Sequence, residues 1–159
     1  MKVPRLVSKW MPVFAWMLLI FAGSSDALSA EHTSRFIVPF LRWLDPHISL
    51  ATIAVVHLTL RKLGHFTEYA ILASLLWRGL RGTFLEVRSS LLALAAFLIA
   101  AGFAASDEFH QSFVPTRTAS ARDVMIDCLG ALFAVALCAL FAARRQAEAP
   151  VPVDLTSKI

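Results

Sequence analysis

Charge is scarce in this chain. Only 16% of its 159 residues are Asp, Glu, Lys or Arg, 58% are hydrophobic, and the mean hydropathy is +0.68. A soluble domain usually has ~25% charged and ~45–50% apolar residues, so there is too little charge here to wet a globular surface. A soluble enzyme, a disordered tail and a modular nucleic-acid binder are excluded together. Cysteine is scarcer still: Cys128 and Cys138 are the two present, and on one helix they would stand roughly 15 Å apart, too far for a disulfide. They carry neither a redox nor a metal signal. There is no internal repeat of ~20–50 residues and no low-complexity segment. The zinc word His-Glu-x-x-His does not occur, and Ser106, Ser112 and Ser120 lie outside any nucleophile-elbow pattern.

What is present is apolar sequence in blocks. Residues 10–23, 66–80, 89–105 and 124–143 are four apolar runs, each a candidate transmembrane helix. The first is short. Extending it back to Leu6, with Lys9 snorkelling to the interface, gives a sufficient span. Because it follows Lys2, Arg5 and Lys9 and precedes small residues, a cleaved signal peptide is the alternative. Between the first two runs, residues 48–60 place Ile53, Val56 and Leu60 on one helical face, a segment that either lies at the interface or leads directly into the second span. The expectation is an all-α, polytopic membrane protein: a bundle of about four transmembrane helices with an interfacial helix before the second. Residues 1–143 form the one domain, and residues 144–159, with Pro150 and Pro152, form a disordered cytoplasmic tail.

The pI near 9.6 reads as a topology signal, because the cations gather at the ends of the apolar blocks. With the N-terminus inside, nine Lys and Arg fall inside and six outside, with Arg78, Arg81 and Arg88 in one short inside turn. Both termini are therefore expected in the cytoplasm.

Polar residues crowd toward the opposite, external face. His65 and Glu68 are three apart and share a helix face, with Lys62 and Tyr69 close by. An ionised Glu68 in the apolar region costs at least ~2.5–3.5 kcal/mol and needs a partner, a proton or a water-filled pocket. Asp107 faces His110 and Gln111 at separations of three and four, and Pro115 ends that helix. Ser120 and Asp123 resemble a capping box that opens the last helix. Asp127 continues the face of Asp123, and Gly130 after it allows a neighbouring helix to approach closely. Five carboxylates (Glu68, Asp107, Glu108, Asp123, Asp127) meet four cations (Arg61, Lys62, Arg117, Arg122), too nearly balanced for a simple phosphate funnel. The planar fork of Arg117 makes it the expected central cation.

Three motif words stand out: Arg61-Lys62-Leu63-Gly64-His65-Phe66-Thr67-Glu68-Tyr69-Ala70; Asp107-Glu108-Phe109-His110-Gln111-Ser112-Phe113-Val114-Pro115; and Arg117, Ser120, Asp123, Asp127 and Gly130. Together with the serines after the first run (Ser24, Ser25, Ser29, Ser34), they resemble the VanZ-like family of small bacterial membrane proteins over roughly residues 16–143. Cys128-Leu129 and Thr116 depart from the family pattern. The resemblance implies a multi-pass protein of the bacterial cytoplasmic membrane. The family's namesake is associated with resistance to teicoplanin, a lipid-bearing glycopeptide, without the precursor rewriting that protects against vancomycin. Carried over residue by residue, it marks Lys62, His65, Glu68, Tyr69, Asp107, Glu108, Gln111, Pro115, Arg117, Asp123, Asp127 and Gly130.

The leading functional expectation is a non-enzymatic factor whose external polar pocket binds a lipid-linked envelope precursor, a lipoglycopeptide or another amphiphile. Membrane lipids are its surroundings, nucleic acid is no partner, homo-oligomers are open, and no cofactor or metal is assigned. Three alternatives stand beside it: a buried ion-pair network that fixes helix register, a metal-dependent hydrolase using His65, Glu68, Asp107, His110 and Asp123, and an ion-coupled transporter, for which four helices without an inverted repeat are few.

Overall fold

The computed structural model describes residues 5–24, 30–114 and 120–148. Among them are five helices and no strand: α1 (Arg5–Gly23), α2 (Ala30–Leu44), α3 (Leu50–Thr83), α4 (Ser89–Gln111) and α5 (Ala121–Ala147). Local chemistry sets the boundaries. Before α3, the Asp45 carboxylate accepts from the His47 N–H (2.9 Å) and the Asp45 carbonyl accepts from the Ile48 N–H (3.1 Å), a turn of the kind Asp favours beside proline. Ser49 then caps α3, its hydroxyl accepting from the Thr52 N–H at 3.0 Å. At α5 the cap is Ser120, whose hydroxyl accepts from the Arg122 N–H at 3.3 Å. Asp123 is therefore not the second arm of a capping box, because its carboxylate is turned to cations on α3.

The core is built of large residues on α3 against small ones elsewhere. Tyr69, Leu72, Leu76, Trp77 and Leu80 are buried on α3, whereas α4 buries Leu92, Ala96, Ala100 and Ala104, four positions at a spacing of four. Such a small-residue stripe lets helices come close where lipid supplies no hydrophobic drive. Val13 and Ile20 of α1 and Ala131, Ala134 and Val135 of α5 complete it. The outward faces are as apolar as the interior, with Phe14, Leu18, Leu94, Leu98, Leu132 and Phe141 among the exposed residues. That is the surface of a protein solvated by hydrocarbon.

Helix directions follow from the cross-contacts. At one end, the Lys9 ammonium donates to the Gly82 carbonyl, the Trp10 indole to Thr83 Oγ1 (3.0 Å) and Arg78 to the Lys9 carbonyl (3.2 Å), so the start of α1 meets the end of α3. At the other end, Ser24 after α1 meets Asp107 near the end of α4. Along α3 and α5, His65 pairs with Asp127, Phe66 with Phe133 and Ser74 with Cys138, both sequences rising together. Thus α1 and α4 run one way, and α3 and α5 the other.

Three expectations are corrected. Among the described residues three helices, not four, are by themselves long and apolar enough to cross a membrane: Leu6–Gly23, Ser89–Gln111 and Ala121–Arg145. The run 66–80 belongs to α3, a 34-residue helix of about 51 Å; its apolar stretch covers only roughly 22 Å, yet beside the other three α3 still runs the length of the bundle, from His65 at the polar end to the Lys9–Gly82 contact at the other. Of the two readings open for residues 48–60, the separate interfacial helix is the one overturned: from Leu50 they form the first half of α3 and lead directly into the run 66–80, with no break in the helix before Thr83. Finally, α5 continues to Ala147, so the first residues assigned to a disordered tail are helical, while residues 149–159 lie outside the described residues.

Candidate functional site

The polar residues singled out by sequence come from three helices and meet at one end of the bundle. On the side of α3 and α5, Asp123 accepts from Arg61 (3.1 Å) and from the Lys62 ammonium, and His65 Nδ1 shares a hydrogen bond with Asp127 (3.1 Å). Both aspartates are buried, whereas Arg61 and Lys62 keep about a third of their side chains exposed, so their charged heads remain partly hydrated. One turn beyond Asp127, Gly130 makes this approach possible. A Cβ there would stand 2.1 Å from the Phe66 carbonyl oxygen.

On the side of α1 and α4 the bonds are to neutral groups. Ser24 donates to Asp107 Oδ2 (2.6 Å), and the Gln111 amide donates to the same oxygen (3.1 Å) and to the Ser24 hydroxyl (3.2 Å). Glu108 accepts from the backbone N–H of Ser120, which ties the end of α4 to the cap of α5. Asp107, Glu108 and Gln111 are all buried. Tyr69 is fully buried between the two sides, its ring 6.3 Å from that of Phe103 one turn before Asp107. It lies within electrostatic reach of Asp107, Asp127, Glu68 and Glu108. Glu68 is half-buried, and its carbonyl accepts from the Trp16 indole at 2.9 Å. Asp107 Oδ1, Glu108 Oε2, Gln111 Oε1 and the Tyr69 hydroxyl are buried atoms with no hydrogen-bond partner among the described residues.

A VanZ/LLP1 family model matches residues 9–142, from the first turns of α1 to near the end of α5. The chain belongs to the VanZ-like family. No curated protein and no solved structure matches it. In this VanZ-like protein the family words on α3, α4 and α5 are thus the residues that the fold draws to one end.

Lys62, His65, Glu68, Tyr69, Asp107, Glu108, Gln111, Ser120, Asp123 and Asp127 are brought together there. Arg117, expected as the central cation, and Pro115 lie outside the described residues. The side chains seen on carboxylates are the cations Arg61 and Lys62 and, through a shared hydrogen bond, His65. Sequence reasoning passed over two participants. In the sequence Ser24 is one of several serines after the first run and Arg61 one of four cations, and nothing local marks either as the partner of a buried acid. His110, expected beside Asp107, stacks instead on Phe21 with ring centroids 4.4 Å apart. Among the described residues no three His, Cys, Asp or Glu side chains are arranged so that they could hold a metal ion, so the ligand set His65, Glu68, Asp107, His110 and Asp123 does not converge. Chemically, the cluster offers an ion-paired half on α3 and α5 and an acceptor-rich half on α4.

Proposed function

We propose that this VanZ-like protein works by binding: the polar end faces outside the cytoplasmic membrane and takes the head of a lipid-linked or amphiphilic ligand, lipoglycopeptides included, and low-level teicoplanin resistance follows. The observation that carries this reading is the hydrogen-bonding capacity around α4 that no described residue meets. Asp107 and Glu108 are bonded to neutral donors, and one oxygen of each has no partner among the described residues. A buried polar group left unsatisfied costs ~1–3 kcal/mol, so a ligand presenting donors gains there what water would give at a surface. The outward orientation is supported by the cations at the other end, where Lys9, Arg78, Arg81, Arg88, Arg144 and Arg145 gather. The positive-inside rule sends that end, and both termini with it, to the cytoplasm.

A second reading is favoured by one observation. The bonds of Asp123 to Arg61 and Lys62 and of Asp127 to His65 join α3 to α5, which is what a register-fixing network would do. The two halves separate the readings: α4 carries binding, and the α3–α5 pairs carry packing.

The test is susceptibility of a Gram-positive host to teicoplanin and vancomycin, with the wild-type chain or Glu108→Gln inserted at equal levels. Wild type should raise tolerance to teicoplanin alone, and the variant should lose it. Full protection by Glu108→Gln, or none by well-inserted wild type, contradicts the binding reading.

A further inference from the structure

α2 presents Phe36, Phe40, Trp43 and Leu44 outward, with Phe36 79% and Trp43 76% exposed. Their spacing of zero, four, seven and eight puts all four on one stripe of a helix. The Phe40 and Trp43 rings lie 6.1 Å apart within that stripe. A second sector of Ile37, Val38 and Leu41 is half-buried, and the helix that α2 packs against is α3. Arg35 and Arg42 are exposed on a third sector, seven residues apart and so in line with each other. The helix therefore has an internal face, an unpartnered aromatic face and a basic flank.

We infer that α2 lies flat in the headgroup region of the bilayer, its aromatic stripe against the acyl boundary and its arginines on anionic lipid headgroups. Three observations choose a lipid surface over a second copy of the chain. The first is level. α2 begins six residues after Ser24, a link of at most about 20 Å, and Ser24 marks where α1 and α4 leave their apolar spans. The second is composition, since Trp and Phe on one face with Arg on another is the pattern of helices that rest in the interface plane. The third is charge. Two cations flank the stripe, which would repel across a symmetric contact between copies and are attracted by an anionic surface. Two such arginines favour partition onto an anionic surface by about thirtyfold.

The full chain, with Cys128→Ser and Cys138→Ser, is labelled with an environment-sensitive fluorophore at Phe40→Cys or, on the opposite face, at Arg35→Cys. It is reconstituted in phosphatidylcholine vesicles with and without phosphatidylglycerol. The label at position 40 should emit to the blue and be quenched by lipids carrying a nitroxide just below the headgroup, more strongly when phosphatidylglycerol is present, while the label at position 35 stays in water. Arg42→Glu should remove the phosphatidylglycerol dependence, with the melting temperature of the bundle confirming that it is folded. A water-exposed label at position 40 in both vesicles overturns the inference. Protection that tracks protein-to-lipid ratio instead of lipid charge also overturns it, in favour of a contact between copies.

Discussion

Replacing Gly130 with alanine should destabilise the bundle, against the usual preference of a helix for alanine. Glycine to alanine inside a helix ordinarily stabilises by ~0.5–1 kcal/mol, because glycine loses more freedom on folding. Here the new Cβ would stand 2.1 Å from the Phe66 carbonyl oxygen and 2.9 Å from its carbon, both backbone atoms that no rotamer change can move. Reaching ordinary contact at 3.4 Å requires α3 and α5 to part by 3.4 minus 2.1, about 1.3 Å. That displacement also stretches the His65–Asp127 hydrogen bond, which joins the same two helices one turn away at 3.1 Å. Overpacking of this kind costs ~1–3 kcal/mol, enough to outweigh the propensity gain. Gly64 on α3 and Gly102 on α4 have nothing within 4 Å of the corresponding Cβ position, and alanine at either should stabilise by ~0.4–1 kcal/mol. Thermal unfolding of the three variants in one detergent reads the contrast directly. The melting temperature should fall for Gly130→Ala and rise for Gly64→Ala and Gly102→Ala. A rise for all three would refute the close approach of α3 and α5.

Other consequences follow from the same contacts. Asp123→Asn removes the counter-charge of both Arg61 and Lys62 and should destabilise more than Lys62→Ala, by about 1–3 kcal/mol since both cations can still reach water; denaturation of the purified variants compares them. A double-mutant cycle over His65→Ala and Asp127→Ala should give a coupling of about 0.5–3 kcal/mol, and additive effects would deny the pair seen at 3.1 Å. Ser24→Ala takes a donor from Asp107 and an acceptor from Gln111, and should cost about 1–3 kcal/mol in the same unfolding assay. At the opposite end, Trp10→Phe loses the bond to Thr83 and part of the ring that packs over Gly79, and should cost at least about 0.5–1.5 kcal/mol while leaving teicoplanin tolerance unchanged.

The apolar runs and the crowding of polar residues at one end were legible because both are properties of local composition. Burial of Asp127 and close packing at Gly130 could be read from helical spacing alone, since Asp123, Asp127 and Gly130 share one face. Which partner each acid takes could not. His65 and Asp127 are 62 residues apart, and no periodicity sets the register between two helices joined through a third. The length of α3 was hidden for a different reason. Charges at Arg61, Lys62 and Glu68 interrupt the apolar pattern without breaking the helix, and Gly64 is only a weak breaker. α2 was missed because its spacing of Phe36, Phe40, Trp43 and Leu44 is interrupted by Pro39, which reads as a stop.

The central claim is that the acceptor-rich end of α4 binds an amphiphile, and the most direct measurement is binding of teicoplanin to the purified protein in nanodiscs, with vancomycin as the chain-free comparison. Wild type should bind teicoplanin in preference to vancomycin, and Glu108→Gln and Asp107→Asn should weaken that binding while each variant stays folded. Equal binding by wild type and both variants, or no preference for the lipid-bearing compound, would contradict it.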